Sequence, residues 1–135
     1  MKTLKEHLLN ESDVKYYKNV KITHRHSTSV KEFDRFSGIK YSDALKFLYK
    51  IIDLCKFEGV AELFYSGYAG WTLYDNNGEQ LCYVMYDCNQ YGLEDATQGK
   101  GWYCQIKTNN PMSQKIKEVV DQISSKYNKP GRPWM

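Results

Sequence analysis

Two stretches of the chain repeat apolar residues at helical spacing, and between them the period drops to two. In residues 42–57, SDALKFLYKIIDLCKF, the side chains of Ala44, Leu45, Leu48, Ile51, Ile52 and Cys55 share one helix face. Ser42 stands where it could cap the first amides, and Gly59 where a left-handed residue would stop the run. The second helix runs from Pro111 to about Tyr127, with Asn110 as its cap and Met112, Ile116, Val119, Val120, Ile123 and Tyr127 as its stripe. Between the helices lie VAELFY, GWTLYD, EQLCYVMYD and GWYCQIKT, rich in aromatic and β-branched residues. Asn77-Gly78 joins the second and third of these as a hairpin turn. In EQLCYVMYD both parities are apolar, Leu81, Tyr83 and Met85 against Cys82, Val84 and Tyr86, which marks a central strand covered at least partly on both faces.

Outside this body the pattern is weaker. VKITHRH reads as one more strand, ESDVKYYKN as a polar connector or a single turn of helix, and VKEFDRFSGIKY as a turn of helix or a loop. Residues 3–9 make a short helix that depends on docking, 88–101 a long loop of the kind that carries function, and 128–135 an extended tail held by Pro130 and Pro133. The expected fold class is therefore α+β over residues 1–135: one domain, a two-layer sandwich whose mostly antiparallel four- to five-stranded sheet carries two main helices on one face.

Composition changes this picture in three places. Aromatic residues make up 15% of the 135, with twelve tyrosines and three tryptophans, more than one face of a small core absorbs. Formal net charge is +3 but uneven: +4 over residues 1–60, −5 over 61–100 and +4 over 101–135. Cys55, Cys82, Cys88 and Cys104 sit in apolar-periodic segments without CxxC spacing and read as buried thiols. No window is apolar enough to span a bilayer and MKTLKEHLLN is too short and polar for a secretory leader, so the expected location is the cytoplasm and no membrane partner is expected. Lysine outnumbers arginine sixteen to three, a bias associated with AT-rich bacterial or phage genomes.

The segment that most invites chemistry is VKITHRHSTS, residues 20–29. Alternation puts Val20, Ile22, His24 and His26 on one face and Lys21, Thr23 and Arg25 on the other, so the histidines extend an apolar row to its rim. A metal would need His7 as third ligand, and no HExxH or cysteine partner accompanies them; no metal and no cofactor is expected. A hydrolase or phosphoesterase would use His24 or His26 as acid or base with Arg25 holding an anion. The simpler account is rim histidines beside a Ser/Thr turn, and an enzyme is not the favoured class. The carboxylates Asp75, Glu79, Asp87, Glu94 and Asp95 flank turns, and no Walker loop, GxGxxG or GxSxG occurs.

The ring surplus is the more informative feature. Tyr65, Tyr68, Trp71, Tyr74, Tyr83, Tyr86, Tyr91, Trp102 and Tyr103 lie on or beside the strands, and tyrosine is an interface residue because it is rigid and amphipathic. The expected function is that of a small binding or regulatory protein, of inhibitor, immunity or adaptor type, using a Tyr-rich, acidic sheet surface and the 88–101 loop. Its expected partner contacts are Tyr74, Tyr86, Asp87, Tyr91, Glu94, Asp95, Trp102 and Trp134, with self-association into a homodimer through the uncovered sheet face included. The alternative is a nucleic-acid-associated protein using Lys46, Lys50, Lys115 and Lys117 on the helices.

Overall fold

The computed structural model describes residues 14–25, 28–65, 68–86, 97, 99 and 101–125. Six strands, β1 (Val14–Tyr17), β2 (Val20–His24), β3 (Gly59–Tyr65), β4 (Ala69–Tyr74), β5 (Gln80–Tyr86) and β6 (Trp102–Ile106), form one sheet in sequence order. Among the described residues three helices accompany them: α1 (Val30–Phe36), α2 (Tyr41–Cys55) and α3 (Pro111–Ser125). The α+β class holds, but the sheet has six strands rather than four or five, and β2 pairs with β3 in parallel while the other pairs are antiparallel. A parallel pair needs a crossover, and α1 and α2 supply it.

Of the two weakly patterned segments, one departs from expectation and the other takes the helical alternative. The supposed connector 11–19 contains β1, an edge strand that turns into β2 through Lys18, held in the left-handed region at φ 54°. Its lysine and tyrosines suit an edge, where one side of the strand has no ladder and no strict alternation is demanded. The ambiguous 30–41 segment contains a seven-residue helix, capped by Ser29, whose hydroxyl accepts from Glu32 N at 3.1 Å.

α2 begins one residue before Ser42. Its cap position is Lys40, which makes no side-chain capping bond. Asp34 of α1 reaches across instead, and its carboxylate accepts from Tyr41 N at 2.6 Å. The helix ends on Lys56 in the left-handed region, while Gly59 already opens β3. A Cβ on Gly59 would sit 2.0 Å from the Tyr74 carbonyl oxygen, so glycine is required there for close strand approach and not for helix termination. At α3 the expected cap is present, Asn110 Oδ1 accepting from Ser113 N at 2.9 Å.

Apart from the irregularity at Leu73/Tyr74, which leaves Leu81 in the core, the register sorts the strand residues onto two faces. Val20, Ile22 and His24, Ala61 and Leu63, Ala69, Trp71 and Leu73, Cys82, Val84 and Tyr86, and Trp102, Cys104 and Ile106 align across the sheet. The helices cover this side: Trp71 Nε1 donates to Ala44 O of α2 at 3.3 Å, and Ser124 of α3 donates to Trp102 O at 2.6 Å. Phe33, Phe47, Leu48, Ile51, Ile52, Ile116 and Val120 complete the one core cluster that joins all three helices to the sheet. Cys55, Cys82 and Cys104 are buried in it as free thiols. Cys88, the 3–9 helix, the 88–100 part of the loop apart from residues 97 and 99, and the 128–135 tail lie outside the described residues. Among the described residues no helix is long and apolar enough to cross a membrane.

Candidate functional site

The opposite face of the sheet carries no described helix, and its rows can be read directly from the register. One row runs Phe64, Gly70, Met85, Tyr103 across β3 to β6, with Arg25 following β2 beside Phe64. The next runs Thr23, Glu62, Thr72, Tyr83, Gln105. The central strand β4 thus contributes only Gly70 and Thr72 here, while the strands on either side contribute rings and long chains. A floor of small residues between taller walls is a groove.

Its volume is about 310 Å³, and it is lined by Arg25, Phe64, Tyr68, Tyr83, Met85, Tyr103 and Gln105. A Cβ on Gly70 would fall 2.1 Å from the Val84 carbonyl oxygen, so the floor cannot be raised without moving β5. Phe64 meets Tyr83 edge to face with centroids 5.9 Å apart. The Arg25 guanidinium lies over Phe64 at 5.1 Å, and Tyr103 Oη approaches Met85 Sδ at 3.8 Å. Tyr68, at the β3–β4 end, is 55% exposed and forms the outer lip. The polar atoms at the rim, a guanidinium, phenolic hydroxyls and the Gln105 amide, are suited to orient a ligand whose apolar part fills the groove.

Several expected contact residues lie elsewhere. Tyr86 and Trp102 are only 3% and 0% exposed and point into the helix-covered core, where Trp102 stacks on Phe47. They are core residues and not partner contacts. Their parity is opposite to that of Tyr83 and Met85, and with both parities of β5 apolar, only the pairing of Val84 with Trp71 shows which set the helices bury. Tyr74 does lie on the groove face of the sheet, one row from the groove, where its hydroxyl donates to Glu62 Oε1 at 3.3 Å. Burial, and then the Glu62 charge, push its phenol above the ordinary tyrosine range. Asp87, Tyr91, Glu94, Asp95 and Trp134 lie outside the described residues.

The face is also not acidic among the described residues. Lys21 and Glu62 are its charged strand positions, Arg25 follows β2, and Lys107 just past β6 lies 5.5 Å over the Tyr83 ring. The described carboxylates of the acidic middle segment other than Glu62, Asp75 and Glu79, belong to the β4–β5 turn, where Asp75 Oδ1 accepts from Asn77 N and Glu79 N. Charge averaged along a strand and its turn does not report the charge of one face.

Of the histidine segment, His24 points to the helix side and meets Tyr41 edge-on at 5.4 Å, Arg25 reaches the groove from the other side, and His26 lies outside the described residues. Alternation separates the imidazole from the guanidinium, so these two do not share a site. No group of three or more metal-ligating side chains occurs among the described residues. The helix lysines do not join the groove either. Lys46 and Lys115 are exposed, Lys50 donates to Thr97 O at 3.0 Å, and Lys117 pairs with Asp121 at 3.0 Å. A second hollow of about 220 Å³ beside Lys18 and Lys56 contains Asp53, which already accepts from Lys18 and Tyr17.

No protein-family model, characterised protein or solved structure matches this chain.

Proposed function

We propose that this chain is a small binding or regulatory protein that docks a protein partner on the face of its sheet opposite the described helices, one anchor side chain of the partner filling the groove. The observation that carries this reading is the groove itself: three tyrosines, a phenylalanine and a methionine converge on a floor of small residues on the side opposite the helices. Rigid rings with polar tips give large contact area at low entropic cost, and a hollow of this size suits one or two side chains. Inhibitors, immunity factors and adaptors work in this way. Buried, unbridged thiols at Cys55, Cys82 and Cys104 fit work in a reducing compartment such as the cytoplasm.

A photo-crosslinking residue placed at Tyr68, in cells that express the chain naturally, tests this. A discrete protein adduct is expected there and not from the same residue at exposed Gln114 on α3, and Tyr83→Ala should abolish it. Equal adducts from both positions, or an adduct that nuclease digestion removes, would overturn the reading.

A further inference from the structure

The charges around the groove define the chemistry of its occupant. Arg25, Phe64, Tyr83 and Lys107 form a linked series across the face, a cation over each ring and the rings edge to face between them. The two positive groups therefore bracket the ring pair and are held in place by it. Within the described residues the Arg25 guanidinium has no hydrogen-bond acceptor: Glu62 Oε1 is 4.0 Å from its Nε, and that oxygen already accepts from Tyr74. Glu62 is the one acidic residue that alternation directs to this face among the described strands, against Lys21 on β2, Arg25 just past it and Lys107 beyond β6. An apolar hollow with a guanidinium, held only by a loose 4.0 Å ion pair to Glu62, on one side and an ammonium on the other attracts carboxylates and repels basic chains.

The geometry points to an acidic protein segment as the occupant, an aromatic or long apolar side chain seated in the groove with neighbouring carboxylates meeting Arg25 and Lys107. This rests on the protein-binding reading above and adds the chemical character of the partner. Phosphates would feel the same two cations, but a single-strand binder also needs open ring faces for bases. Here a cation lies over both Phe64 and Tyr83, and two cations do not make a backbone track.

A random-peptide display library selected on the immobilised full-length chain is the test, run in parallel on an Arg25→Glu/Lys107→Glu variant and a Tyr68→Ala/Tyr83→Ala variant, each first shown to melt cooperatively. The wild type should enrich peptides in which Asp or Glu flank Phe, Trp or Leu. The best of these should bind the charge-reversed variant at least about tenfold more weakly, weaken as salt rises, and lose binding to the tyrosine variant. Groove-dependent enrichment of neutral or basic peptides would overturn the acidic-segment inference and leave the protein-binding reading standing. Absence of groove-dependent enrichment, or displacement of the peptides by a tighter-binding thymidine oligonucleotide, would overturn both.

Discussion

Phe47 of α2 and Trp102 of β6 stack face to face, ring centroids 4.3 Å apart and planes 9° from parallel, with both side chains wholly buried. The pair joins the crossover helix to the far edge of the sheet, a contact between residues far apart in sequence. Either ring replaced by alanine leaves a large cavity, so Phe47→Ala and Trp102→Ala should each cost about 3 to 5 kcal/mol in chemical denaturation. Tyr83→Ala, on the groove wall and half-buried, should cost no more than about 1.5 kcal/mol. A Trp102 variant that keeps full stability would refute this assignment of the ring to the core.

The start of α2 separates two candidate caps. Asp34→Ala removes the carboxylate that accepts from Tyr41 N and should destabilise by about 1 kcal/mol. Ser42→Ala, inside the helix and exposed, should stay within about 0.5 kcal/mol. Thermal melts of the two variants side by side decide between them.

Tyr41 is buried at 8% exposure, and its hydroxyl finds no hydrogen-bond partner among the described residues. Burial pushes its phenol up to about 12. The folded state then holds a proton that the unfolded chain, with its ordinary tyrosine near 10, releases sooner. Stability from this group is complete below pH 10 and declines as pH rises towards 12. Tyr41→Phe removes an unsatisfied hydroxyl, so it should leave stability at neutral pH unchanged or raise it by about 1 kcal/mol, and should shrink the alkaline loss. Urea titrations at neutral and alkaline pH measure both effects.

Gly70 sits where neighbouring backbone leaves no room for a side chain. Gly70→Ala should lower stability by about 1 to 3 kcal/mol, because β5 must move to accommodate the methyl group. Partner binding should fall in the same variant even at temperatures where it stays folded, since the groove floor rises. A calorimetric melt with the crosslinking assay at Tyr68 reads the two separately.

Burial pushes the Cys55 thiol up to about 11, and Cys82, hydrogen-bonded to Cys104 within the core, is raised as well. Thiols so held are poor nucleophiles. In a Cys88→Ser background, a thiol reagent at neutral pH should label the native chain at the unfolding rate, and all three remaining cysteines promptly in denaturant. Fast native labelling would contradict the burial.

The sequence determined α2, α3, the strands β3 to β6 and the Asn77-Gly78 turn through hydrophobic period and turn chemistry, although the cap and stop expected for α2 were not the ones used. The sequence also named Tyr68, Tyr83 and Tyr103 among its surplus rings and Arg25 as an anion-holding candidate, but none of the four was an expected partner contact. It could not show which rings face outward. With both parities of β5 apolar, only the pairing of Val84 with Trp71 sent Tyr86 and Trp102 inward and left Tyr83 and Met85 on the side opposite the described helices. The parallel β2–β3 pair, the edge strand β1 and the Asp34 cap were likewise decided by tertiary structure, since each depends on a partner distant in sequence that no local pattern encodes.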